Sequence, residues 1–154
     1  MNKIFIKALL LTTLTLGAYA YDTTKAKNLE GFYSKMTQKV CADSKLFISA
    51  EDTLKLIREE KKYLLLDVRT AGENSVISLS DKNSLHTEIK DLFKKENLDK
   101  LPTDRPIIAI CHSGTRGLMA ALGLKQIGIK NVQVLKGGFI SLAEKNTVKN
   151  APLK

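Results

Sequence analysis

Residues 106–117 read P-I-I-A-I-C-H-S-G-T-R-G. The apolar run Ile107 to Ile110 predicts a buried strand, and a helix of apolar composition is predicted to begin just past Gly114 and Thr115. Cys111 then stands at the end of a strand, and His112 to Arg116 make the turn into the helix. Successive backbone N–H groups of such a turn can face the cysteine sulfur, and the helix adds its own unpaired amides and positive end. The result is a cradle for one anionic atom or group. It favours a thiolate, or the terminal sulfur of a persulfide, without a metal.

The flanking chain places that strand in a sheet. Tyr63-Leu64-Leu65-Leu66-Asp67-Val68 is a continuous apolar run ended by polar chain, the pattern of a parallel strand covered on both faces. Val132-Gln133-Val134-Leu135 reads as the last core strand, Val76 to Leu79 as a further strand, and Leu46 to Ile48 as a short extended lead-in. Ser49 with Asp52 predicts a capped helix from about Ala50 to Lys61, with Leu54 and Ile57 inward. Ser84 is expected to cap a helix carrying Leu85, Ile89, Leu92 and Phe93, with His86 structural or exposed on it. Leu98 to Arg105 then returns the chain to the cysteine strand. Leu118, Ala121, Leu122 and Ile127 form the inward face of the helix behind the loop, which Gly128 stops. Repeated alternation predicts an α/β fold: an open, mostly parallel sheet with helices on both faces, and chemistry at the carboxyl ends of the strands. Cys111 and Asp67 both fall there.

Before the α/β region, Tyr21 to Lys27 is polar and reads as loose chain. Leu29, Tyr33, Met36 and Val40 follow at helical spacing, with Phe32 beside them, and predict a helix lying on the domain by its apolar face. The very start, M-N-K-I-F-I-K-A-L-L-L-T-T-L-T-L-G-A-Y-A, has basic Lys3 and Lys7, a short apolar core and a small-x-small end. It reads as a secretory signal peptide cut after Ala20, too short to span a bilayer. A periplasmic or otherwise exported chain without stable membrane insertion is expected. The organisation is therefore a leader (1–20), a helical extension (21–47), one domain (48–145) and a tail (146–154).

The 154 residues carry 25 Lys and Arg against 16 Asp and Glu, a formal charge of +9, of which Lys3 and Lys7 lie in the leader. The lysines are scattered, aromatic residues make up only 6%, and no nucleic-acid module is present, so a solvated basic surface fits better than a nucleic-acid partner. Two cysteines, Cys41 and Cys111, allow one disulfide in an oxidising compartment, though a domain of this length does not need a staple. Two histidines, and no close-spaced set of Cys, His and carboxylates, give a metal site little support, and no cofactor is implied.

Cys111, Gly114 and Arg116, preceded by Asp67-Val68-Arg69 and followed by Gly137-Gly138-Phe139, together resemble the single-domain rhodaneses, the thiosulfate-type sulfurtransferases. The resemblance runs from about Ile48 to Lys145. It implies a cysteine that takes a sulfane sulfur from a donor, holds it as a persulfide and passes it to a thiol or other nucleophile. The implied partners are a small sulfur-containing anion and a thiol acceptor, with an exported protein as a further acceptor. Two departures stand out. After Asp67-Val68-Arg69 the chain reads T-A-G-E-N-S-V-I-S-L-S, in which Glu73 matches the family's acidic residue but the following Gly-His-Ile is missing. The tryptophan common after the double glycine is represented by Leu142.

Each site residue has a plainer reading beside the functional one. Cys111 is either a core thiol or the nucleophile, and its polar loop favours the second. Arg116 is either a surface cation or the residue that ties loop carbonyls or an acidic neighbour and holds positive potential near the sulfur. His112 is a solvated side chain or a receiver of a thiosulfate oxygen; Ser113 and Thr115 can donate hydrogen bonds to sulfur or oxyanion; Gly114 permits the backbone geometry. Asp67 and Arg69 support the scaffold. Three classes of function follow: a persulfide-forming transferase; a non-enzymatic or thiol-redox module of the same fold that binds a sulfur-containing anion or an exported partner protein, with Cys41 as the resolving thiol of the redox form; and a cysteine phosphatase or arsenate reductase. The third commonly has five residues between Cys and Arg, and here there are four.

Overall fold

Runs such as Ile107-Ile108-Ala109-Ile110 can be apolar throughout only if both faces of the strand are covered. In the computed structural model, which describes residues 20–147 and 149, they are. Five parallel strands, β1 (Phe47–Ile48), β2 (Leu64–Asp67), β3 (Ser84–His86), β4 (Ile107–Ile110) and β5 (Val132–Leu135), form one sheet in the order β1-β5-β4-β2-β3. The cysteine strand β4 is central. Alternate side chains sort to opposite sides: Ile107 and Ala109 join Leu66, Val132 and Val134 in one core, while Ile108 and Ile110 join Leu65 and Leu135 in the other.

Helices complete both layers. On the Ile108 side lie α3 (Ala50–Arg58), through Ala50 and Leu54, and α7 (Gly138–Lys145), through Leu142. On the Ala109 side lies α6 (Thr115–Gln126), through Ala120, Ala121 and Leu124. Gly117 lets α6 sit close on β4, since a β-carbon there would stand 3.1 Å from the Ala109 carbonyl oxygen. The expected cap of α3 is present, Ser49 accepting from the Asp52 amide, but the helix stops at Arg58 rather than near Lys61. Leu142 is buried where a tryptophan was the family expectation. Gly128, at φ 98°, ends the chain segment behind α6, and Ile127 is 54% exposed instead of inward.

Residues 70–94 depart most from expectation. Val76 to Leu79 is not a strand: α4 (Ala71–Val76) ends there, started by a reciprocal capping box in which Thr70 accepts from the Glu73 amide and Glu73 from the Thr70 amide. The strand is instead Ser84–His86, paired to β2 with Leu66 opposite Leu85. Ser84 starts no helix; its hydroxyl donates to the carbonyls of Leu79 and Asp81, closing the turn into β3. Three residues of strand hold Leu85, partly buried, beside β2, and the chain then turns so that Leu92 reaches the core before α5 (Lys95–Leu98).

The described residues divide into two compact units, the first ending at Lys35 and the second beginning at Met36. The single helix expected through Leu29 and Val40 is two: α1 (Thr23–Tyr33) in the first unit and α2 (Gln38–Asp43) in the second. Asp22 and Thr37 cap their amino ends, and neither helix has a buried residue. Helical spacing measured local periodicity there, not burial. The signal peptide expected over residues 1–20 lies, but for Ala20, outside the described residues. No described helix is long and apolar enough to cross a membrane.

Candidate active site

Cys111 follows the last residue of β4 and is 1% exposed. Its sulfur accepts the Gly114 amide at 3.1 Å. Gly114 is the N-cap of α6 with φ 110°, a conformation that side-chain-bearing residues rarely adopt, so glycine is required by backbone geometry. The expected cradle thus has one amide in direct hydrogen-bond contact with the sulfur, backed by the amino end of a twelve-residue helix.

A second clamp comes from the double glycine. Gly137 and Gly138 have φ of 76° and 61°, and a β-carbon on Gly138 would collide with the carbonyl oxygens of Cys111 and His112. That close approach lets the first amides of α7 reach the loop: Phe139 donates to the Cys111 carbonyl at 2.7 Å and Ile140 to the His112 carbonyl at 3.2 Å. The cysteine loop is therefore held by two helix amino ends, its own and that of α7.

Arg116 closes the loop by a fork. Its two terminal nitrogens each donate to one Glu73 oxygen at 2.6 Å. Glu73 is also fixed by the Thr70 amide and hydroxyl at 2.9 Å. The Arg116 hydrogen bonds, then the Thr70 amide, hold its carboxyl far below the usual carboxylate range. Reciprocally, Glu73 raises Arg116, with Cys111 adding in the same direction. Of the two roles open to Arg116, an acidic neighbour is what it ties.

Asp67 and Arg69 lie beneath as a buried pair. Arg69 donates through its backbone amide at 3.0 Å, Nε at 2.9 and 3.0 Å and Nη2 at 2.6 Å to the Asp67 carboxylate. Nη2 also reaches the Ile77 carbonyl, and the guanidinium stacks 4.2 Å from the Phe139 ring centre. A charge pair at 4% and 2% side-chain exposure is tolerable because these donors are spent. It ties β2 to the clamp helix α7.

His112, Ser113 and Thr115 are exposed around the buried sulfur. His86 sits on β3 beside Asp67, its Nε2 2.9 Å from the Arg69 carbonyl. Cys41 and Cys111 are both free thiols, one exposed and one buried. No group of three or more metal-ligating side chains gathers among the described residues. The stacking of Arg69 on Phe139 had no signal in the sequence, whereas for Arg116 the sequence offered an acidic neighbour and, separately, Glu73 as the acidic residue after Arg69, without joining the two across 43 positions.

With this geometry in place, comparison with known proteins is specific. The model of the rhodanese-like domain family matches residues 49–145. A sulfurtransferase of Allochromatium vinosum is 28% identical over 96 residues, covering 62% of this chain and 86% of that protein. The probable adenylyltransferase/sulfurtransferase MoeZ of Mycobacterium tuberculosis is 27% identical over 84 residues, 54% of this chain but only 21% of that longer protein. Among solved structures, a rhodanese-related protein from Thermoplasma volcanium superposes with a TM-score of 0.55 at 31% identity, over 64% of this chain and 91% of that one. A human single-domain sulfurtransferase shares the fold at 18% identity and a TM-score of 0.57, covering 66% of this chain and 98% of that one.

Proposed function

The chain belongs to the rhodanese-like domain family, and from that premise we propose that it is a sulfurtransferase carrying sulfane sulfur on Cys111. The observation that carries the proposal is the Gly114 amide on the Cys111 sulfur, in a loop clamped by α6 and α7. With thiosulfate as donor, the Cys111 thiolate attacks the outer sulfur, the sulfur–sulfur bond breaks, and its electron pair leaves with sulfite. A thiol acceptor then attacks the outer sulfur of the Cys111 persulfide, and the electron pair of that bond returns to Cys111. The negative sulfur is favoured throughout by the Gly114 amide and the amino end of α6. Arg116, already paired with Glu73, serves chiefly to hold the loop, while His112, Ser113 and Thr115 stand at the mouth to meet donor or acceptor.

Intact mass of the chain before and after thiosulfate tests the proposal. A gain of about 32 Da, one sulfur, is expected, reversed by cyanide or a small thiol. Cys111→Ser should not gain it. A serine variant that gains the mass and transfers sulfur as well as the original would show that Cys111 is not the carrier.

A further inference from the structure

The end of the sheet opposite Cys111 holds a feature that sulfur transfer does not use. A groove of about 520 Å³ opens at the amino ends of β4 and β5, where Pro106 and Asn131 precede the strands. Lys45, Arg105, Lys125 and Lys130 line it, with Asp104 the one carboxylate. Asp104 is already engaged by Arg105 at 3.0 Å. An adjoining hollow of about 230 Å³ shares Arg105 and adds Lys82 and Lys100. Among the described residues, none of Lys45, Lys82, Lys100, Lys125 and Lys130 pairs with a carboxylate. Lys125 is drawn inward to donate to the Lys130 carbonyl at 2.9 Å, and burial alone pushes its ammonium down. A half-buried cation with only a carbonyl for company gains from any anion brought beside it.

We propose that this groove is a docking site for an acidic, carboxylate-rich segment of a partner polypeptide. Charge complementarity selects the sign, and the donor chemistry selects the class. The side-chain amides in the groove are spent on backbone: Asn131 on the Pro102 and Arg105 carbonyls, and Gln133 on the Lys45 carbonyl. What remains are the ammonium groups of Lys45, Lys125 and Lys130, spread along the groove and suited to several separated carboxylates and not to one compact oxyanion. A membrane surface is also disfavoured, because Val132, Leu46 and Pro106 form recessed walls and offer nothing to insert. Occupation of the groove would not touch the Cys111 loop, since β4 separates the two.

The probe is a fluorescently labelled hexaglutamate peptide, titrated against the whole chain by anisotropy in about 50 mM salt, where exposed charges are weakly screened. Binding should weaken about tenfold or more in Lys125→Glu/Lys130→Glu, and less than about twofold in the control Lys35→Glu/Lys39→Glu, which changes net charge equally. Lys45→Glu/Lys130→Glu, at two exposed positions, repeats the test should the half-buried Lys125 prove necessary for folding. Persulfide loading of Cys111 should be unchanged in all three, which separates failure of the docking site from failure of the transferase. Equal losses in groove and control variants, or no binding at all, would overturn the proposal. So would pyrophosphate binding as tightly as the peptide, or groove-dependent binding to phosphatidylglycerol vesicles without binding to the peptide.

Discussion

Arg116 spends both terminal nitrogens on a single carboxylate, so the guanidinium's fixed fork, rather than its charge alone, sets the loop's position. Arg116→Lys keeps the charge and loses the fork; sulfur transfer should fall about tenfold or more while the melting temperature changes by only a few degrees. Steady-state transfer measured beside a thermal melt checks this, and unchanged turnover would reduce Arg116 to an ordinary cation. Glu73 carries the complementary pH prediction. Its carboxyl is held low in the folded chain, so the stability it contributes is fully present above the ordinary carboxylate pKa, about 4.3, and is lost as pH falls through the lower folded value. The stability advantage over Glu73→Gln should therefore be constant from about pH 7 to pH 5 and shrink only in stronger acid. Melts of both proteins down the acid range measure it. An advantage that rises as pH falls would contradict the ion pair.

Elements converge on the cysteine through their ends. α6 supplies the Gly114 amide, α7 supplies the Phe139 and Ile140 amides, and β4 delivers the sulfur to where they meet. The close approach of Gly138 to the loop makes this convergence sensitive to one methyl group. Gly138→Ala places a β-carbon against two carbonyl oxygens at a φ of 61°, and should cost about 1–3 kcal/mol of stability. Because the collision pushes on the Cys111 and His112 carbonyls, persulfide loading should be lost in protein that is still folded. Unfolding by denaturant, with intact mass after thiosulfate, separates the two effects; wild-type loading in the variant would show that the clamp does not position the sulfur. Gly128→Ala has open space around its β-carbon and touches no part of the loop, so loading should survive there despite the unfavourable φ.

At the scale of the whole molecule, one prediction comes from sequence alone: the leader. Mass spectrometry of the chain recovered after expression in a secreting host should begin at Tyr21, and a product that keeps residues 1–20 would refute export with cleavage. The sequence determined by itself the parallel sheet, four of its five strands and the cysteine at the end of β4, because strands buried on both faces must be apolar without interruption and helices announce their caps locally. It also located Asp67 and Arg69 at the end of β2, Gly114 in the loop that follows Cys111, and the double glycine just past β5. Residues 70–94 were illegible because Val76 and Ile77 are apolar yet 81% and 56% exposed, while β3 is three residues long and takes its strand character from pairing with β2. Local pattern could not rank those two segments. Only the tertiary structure decided that Glu73 faces Arg116 across 43 residues, that Phe139 lies under Arg69, and that the cations of the basic groove gather at one end of the sheet. Backbone periodicity is a property of neighbours in the chain, whereas an ion pair, a stacked ring or a charged groove exists only once distant segments are packed together.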